Sequence, residues 1–232
     1  MADIDLNGKI REFLDSALKK FIVRDYNEAI RDLKAAEVLD RYNPEILYNL
    51  AVNYARMGLH KTAGEYFERI INLPATFVDI LDVKKLYAYA QIKLKNYERA
   101  QQVLDDVIQV SPGDTAAHNM KGFCLEKEGR YDEAVLAYRA IIEIDKKNSN
   151  AYNSLACILA EKGGDLGEAL SFARLAYEAD RNSAAYNDTL GFVLMKRGEK
   201  SRAEKFILKA LQIQPWSEEI KEHLKTLRGN RE

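Results

Sequence analysis

The chain has 232 residues, 47% of them hydrophobic, enough for one or two domains with a substantial core. Its 35 basic and 36 acidic residues leave a formal net charge of -1, without the basic excess that phosphate contacts ask of a nucleic-acid binder. Cys124 and Cys157 are too few for a disulfide framework, no apolar run approaches the roughly 18 residues of a membrane span, and the acidic start is unlike an export signal. The expected setting is therefore cytoplasmic, or periplasmic only if an export signal has been removed.

Taken in chain order, six short segments resemble one another: Tyr26-Asn27-Glu28-Ala29, His60-Lys61-Thr62-Ala63, Tyr97-Glu98-Arg99-Ala100, Tyr131-Asp132-Glu133-Ala134, Leu166-Gly167-Glu168-Ala169 and Lys200-Ser201-Arg202-Ala203. Their alanines are 34, 37, 34, 35 and 34 residues apart, the mark of an internal repeat. Upstream of most of them an amphipathic stretch ends in Gly or a polar turn, as at Met57-Gly58, Lys95-Asn96, Glu128-Gly129, Gly163-Gly164 and Arg197-Gly198. Glycine suits such a turn because it enters the left-handed conformations that end a helix. Leu47, Leu50, Ala51 and Tyr54, or Ala134, Tyr138, Ile141 and Ile142, form stripes at helical spacing. The recurring alanine is small where two helices approach closely. Helices this short are marginal alone, but stacked pairs share a core, so the array is expected to behave as one cooperative unit.

The implied repeats are 10–43, 44–80, 81–114, 115–148, 149–183 and 184–217, followed by a cap helix over 217–229 with Ile220, Leu224 and Leu227 on one side and Trp216 packed at its base. The first repeat is degenerate: Phe13, Ser16 and Ala17 fit, but Lys20 occupies an apolar position. The second repeat carries extra residues after Pro74. Phe77, Ile80 and Leu81 suggest either a first helix beginning about a turn early, or an apolar protrusion over 76–81 that would support a homo-oligomer. The fifth has one added residue around Gly163-Gly164, expected to lengthen a turn.

The period, with Leu50-Ala51, Gly122, Leu155-Ala156 and Leu190-Gly191 in first helices and Ala63, Ala134 and Ala203 opening second helices, resembles the tetratricopeptide repeat (TPR) over about residues 10–217. The resemblance implies an all-α, right-handed α-solenoid of about six helix-turn-helix repeats with a C-terminal cap helix. It also implies a concave groove, lined by first helices, that takes a peptide or helix of a protein partner. Transferred residue by residue, the groove centre would hold Leu18, Val52, Tyr89, Phe123, Cys157 and Phe192. One turn earlier come Leu14, Tyr48, Lys85, Asn119, Asn153 and Asp188, with Asn49 in a neighbouring slot. The expected partner-binding residues are Tyr48, Asn49, Lys85, Tyr89, Asn119, Phe123, Asn153, Asp188 and Phe192, although packing between helices is the competing role for several. Relatives that clamp the acidic tails of Hsp70 or Hsp90 use Lys and Asn, then Asn, then Lys and Arg. The matching residues here are Leu14, Leu18, Asn49, Asp82 and Leu86, so the carboxylate clamp is missing.

His60, His118 and His223 fall in different repeats, and no metal-binding spacing or phosphate-binding glycine loop occurs. Both cysteines are expected to be packing residues. The chain is thus expected to be a non-catalytic adaptor without cofactor. The alternative is a structural assembly subunit that acts through self-association or edge contacts. A pentatricopeptide-like nucleic-acid binder is disfavoured by the charge balance.

Overall fold

The computed structural model describes residues 5–74 and 79–229. Among them lie thirteen helices and no strand: α1 (Leu6–Ile22), α2 (Tyr26–Leu39), α3 (Pro44–Arg56), α4 (His60–Ile71), α5 (Ile80–Lys93), α6 (Tyr97–Val110), α7 (Thr115–Lys127), α8 (Tyr131–Ile144), α9 (Ser149–Lys162), α10 (Leu166–Ala179), α11 (Ala184–Lys196), α12 (Lys200–Ile213) and α13 (Glu218–Arg228). The fold class is the expected all-α helical-repeat solenoid. Odd-numbered helices through α11 open the repeats, and each is followed by its second helix.

Local sequence starts and stops these helices. The side chains of Asn43, Asp79, Asn148, Ser183 and Ser217 accept hydrogen bonds from first-turn amides of α3, α5, α9, α11 and α13, satisfying donors that have no partner inside the helix. A left-handed residue follows every first helix at one position of the repeat: Arg24, Gly58, Lys95, Gly129, Gly163 and Gly198, with φ from 62° to 82°. Four are glycine, for which that conformation carries no Cβ penalty.

The chain divides into two compact units, one up to Met120 and one from Lys121 onward, a division that falls within α7. That helix carries His118 and Lys121 where α3 and α9 place apolar residues such as Leu47, Leu50 and Leu155. In the N-terminal unit α1 packs on α2, α3 on α4 and α5 on α6, with α2 against α3 and α4 against α5. In the C-terminal unit the pairs are α9 with α10 and α11 with α12; α8 packs on α9, α10 on α11, and α13 lies against α12 and the edge of α11. The six repeat alanines, Ala29, Ala63, Ala100, Ala134, Ala169 and Ala203, are fully buried, as close helix approach requires.

Several local features differ from expectation. Helix α1 begins at Leu6, ahead of residue 10, because Asp5 caps it through the Gly8 amide. Lys20 is neutralised by Asp32 of α2 at 2.6 Å, which is how a cation is tolerated at an apolar position. Helix α5 starts one residue early, not a turn, because Asp79 caps it through the amides of Leu81 and Asp82. Ile80 and Leu81 are half-buried in its first turn, while Phe77 and the rest of 75–78 lie outside the described residues. Trp216 is 73% exposed and does not pack beneath the cap. Ile220 and Leu227 fill that seam, and the indole stays in the turn between Ile213 and the Ser217 cap. The added residue of the fifth repeat does lengthen a turn. Gly163 ends α9 in the left-handed region, and a Cβ on Gly164 would stand 2.7 Å from the Leu159 side chain.

Candidate functional site: the inner faces of the two units

In the N-terminal unit the central positions of the first helices hold Leu18, Val52 and Tyr89. Leu18 is 55% exposed and Tyr89 44%, while Val52 is half-buried. The Tyr89 ring meets His60 edge-on at 6.1 Å, and the Lys93 ammonium, one turn later, lies 5.2 Å from its centroid. The positions one turn earlier are more committed to the fold. Leu14 is buried, and Tyr48 is half-buried with its ring 6.5 Å from Phe67. Lys85 pairs with Asp82 and Asp114, each at 2.8 Å, and the hydrogen bonds it donates to Asp114 and Asp82 raise its pKa. The Asn49 amide donates to the Glu45 carbonyl and that of Asn119 to the Thr115 carbonyl, both at 2.8 Å. Those N–H groups are occupied within their own helices.

In the C-terminal unit Phe123 is 38% exposed, with the Lys127 ammonium 5.1 Å from its ring centroid. Cys157 is half-buried beyond it on α9, and Asn153 keeps a side-chain oxygen that no protein group satisfies. Tyr138 donates a 2.5 Å hydrogen bond to Glu126, whose carboxyl is pushed up by burial. Burial also pushes the free thiols of Cys124 and Cys157 up to about 12, which keeps them protonated and poorly nucleophilic.

Asp188 and Phe192 occupy the inward positions of α11, yet the cap helix covers them. The Asp188 carboxylate accepts from Nδ1 of His223 at 2.9–3.0 Å, and the His223 ring stacks on Phe192 with centroids 4.6 Å apart. Phe192 is only 7% exposed as a result. Desolvation alone would lower the pKa of His223, but the hydrogen bond and charge of Asp188 raise it above the usual 6.5. While α13 is docked, these two residues face the protein's own helix.

The inward residues therefore separate into exposed aromatics (Tyr89 and Phe123), residues tied into their own unit (Tyr48, Asn49, Lys85, Asn119), the half-buried Asn153, and the capped pair Asp188 and Phe192. Sequence reasoning missed His223 and the lysines that follow the aromatics. The lysines were signalled by the i, i+4 spacing in Tyr89/Lys93, Phe123/Lys127 and Phe192/Lys196, whose ammonium groups lie 5.1–5.2 Å from the ring centroids. No helix among the described residues is long and apolar enough to cross a membrane.

Comparison with known proteins gives the repeat its family. Two models described as tetratricopeptide repeat match residues 44–77 and 91–158. No curated protein sequence matches the chain. Among solved structures, a tetratricopeptide repeat protein from Parabacteroides merdae ATCC 43184 superposes with a TM-score of 0.74 at 20% identity, covering 98% of this chain and 86% of its own. PilW, described as a widely conserved type IV pilus biogenesis factor, gives 0.74 at 18% identity, covering 98% and 100%. YrrB, described as a TPR protein with an unusual peptide-binding site, gives 0.62 at 21%, covering 78% and 95%. At these identities the likeness concerns the fold, which is a helical-repeat scaffold of a kind typical of protein–protein interaction. With its packing alanines buried and its helix pairs in place, the chain carries tetratricopeptide repeats over the two stretches that the models match.

Proposed function

We propose that this protein is a non-catalytic adaptor that holds a peptide or helix of a partner protein against the inner faces of its repeats. The observation that carries this reading is the exposure of Tyr89 and Phe123 at the centre of first helices. Large aromatic rings left in water at such positions are the side chains that anchor protein interfaces. YrrB, which shares the fold, is described as having a peptide-binding site. The two free thiols fit a reducing, cytoplasmic setting.

The test is affinity capture with quantitative mass spectrometry, comparing the wild type with a Tyr89→Ala, Phe123→Ala double variant. Each truncation is expected to cost about 1–3 kcal/mol of binding if the ring is a buried anchor. A double variant that keeps its helical circular dichroism and still captures the same partner equally well would refute the reading. Concentration-dependent sedimentation that Ile80→Asp abolishes would instead favour an assembly subunit acting through self-association.

A further inference from the structure

We propose that the inner face of the N-terminal unit is selective for an acidic amphipathic partner segment, one in which carboxylates flank bulky apolar side chains. This deepens the adaptor reading and rests on it. The charges on this face are segregated. Towards the start of the first helices the carboxylates have cations beside them: Asp15 and Glu45 lie 3.2 and 3.6 Å from the one Arg11, and Asp82 lies 2.8 Å from Lys85. Lys85 is in turn shared with Asp114. Towards the ends of those helices the arrangement is one-signed. Arg56 ends α3 and Lys93 ends α5, both exposed, and neither has a carboxylate in ion-pair reach among the described residues. Among the described residues Lys93 meets the Tyr89 ring, its centroid 5.2 Å from the ammonium.

The central positions of the same helices, one turn before these cations, are apolar or aromatic. Leu18 and Ile22 of α1 are 55% and 70% exposed, and Val52 of α3 and Tyr89 of α5 continue the central positions. A cation in the last turn complements the helix C-terminus by itself. That does not explain two cations without a carboxylate partner among the described residues, each one turn after an apolar central residue, in a chain whose net charge is -1. A partner's leucine or aromatic side chain would bury against Leu18, Val52 and Tyr89, while its carboxylates would meet Arg56 and Lys93. A basic partner would leave four cations together without compensation. Because Lys93 already touches the Tyr89 ring, an incoming carboxylate and an incoming apolar group would be read by one i, i+4 couple.

The test uses the full chain and two labelled synthetic amphipathic peptides with the same leucine face. One carries glutamate on its polar face and the other lysine, and binding is followed by fluorescence anisotropy. The glutamate peptide is expected to bind at least tenfold more tightly, with affinity falling as salt rises. Arg56→Glu with Lys93→Glu is expected to reverse the preference. Lys61→Glu with Lys205→Glu makes the same change in net charge elsewhere and is expected to leave it unchanged. Equal binding of both peptides, binding of neither, or loss of preference in the control variant as well would overturn the proposal. Equal binding that disappears on Tyr89→Ala would overturn the charge selectivity while leaving the adaptor reading standing. Binding that survives Tyr89→Ala with Leu18→Ala would count against both.

Discussion

The central residues of the first helices in the two units share one register but have different fates. In the N-terminal unit Leu18 and Tyr89 remain substantially exposed, whereas in the C-terminal unit Phe192 is stacked under His223 and Asp188 is bound by the same ring. The difference lies in what comes next along the chain. Helix α11 is followed by α13, which packs where another first helix would lie and brings an imidazole over its inward face. A repeat position therefore specifies a direction, and the neighbouring element decides whether that direction leads to water or to protein.

The largest expected effect sharpens this contrast at a packing position. The N-terminal unit carries Ala51 and Ala88 where the C-terminal unit carries Gly122 and Gly191. A Cβ on Gly191 would stand 2.6 Å from the Ile207 side chain and 3.1 Å from backbone atoms of Ala203 and Ile207. Gly191→Ala should thus destabilise the C-terminal unit by about 1–3 kcal/mol in urea unfolding, through overpacking against backbone that cannot rotate away. A wild-type urea midpoint would break the contrast. Ala88→Gly, the reverse change, should cost only about 0.5–1 kcal/mol through chain entropy.

Next in size is the contact of His223 with Asp188 beneath the cap helix. His223→Ala leaves the Asp188 carboxylate with its partner removed and should weaken α13 docking by about 1–2 kcal/mol. The readout is faster amide hydrogen exchange in α13, with exchange in α1–α5 unchanged. Equal exchange in α13 would show that Ile220 and Leu227 hold the cap without the ion pair. A smaller version of the same loss should follow from pH. The His223 pKa is raised in the folded protein, so its contribution is complete below about 6.5, the unfolded value, and fades as pH rises through the higher folded value. Asp188 and Glu219 favour the charged ring and Lys196 opposes it. Exchange in α13 that accelerates on acidification through this range would reverse the assigned sign.

The smallest effect concerns the turns. Lys95 holds φ of 62° at a position where Gly129 does the same in the other unit. Lys95→Gly should raise stability by about 0.5–1 kcal/mol by removing the Cβ penalty, and Gly129→Lys should lower it by about 1 kcal/mol, both read from thermal melts. A melting temperature that falls on Lys95→Gly, or does not fall on Gly129→Lys, would show that the left-handed turn carries no Cβ penalty here.

Much of the fold was legible because its determinants are local and repeated. The buried alanines, glycine turns and polar caps act within a few residues, so spacing alone exposed the helix pairs and their boundaries. The departures came from single side chains with local alternatives, such as the Asp79 cap that starts α5 at Ile80 and the Trp216 indole left in a turn. The shared register of Tyr89, Phe123 and Phe192 was likewise legible, but their different exposures of 44%, 38% and 7% were not.

By itself the sequence determined the repeat, its helices and the register that the central residues share, because periodic burial requires all three. Only tertiary structure decided which inward groups remain available. Lys85 is held by Asp82 and Asp114, Asp188 and Phe192 are held by His223 from 35 and 31 residues away, and Arg56 and Lys93 have no carboxylate partner among the described residues. The physical reason is that pairing depends on distances between helices, and those distances are set by packing across the array, which periodicity within one helix does not encode.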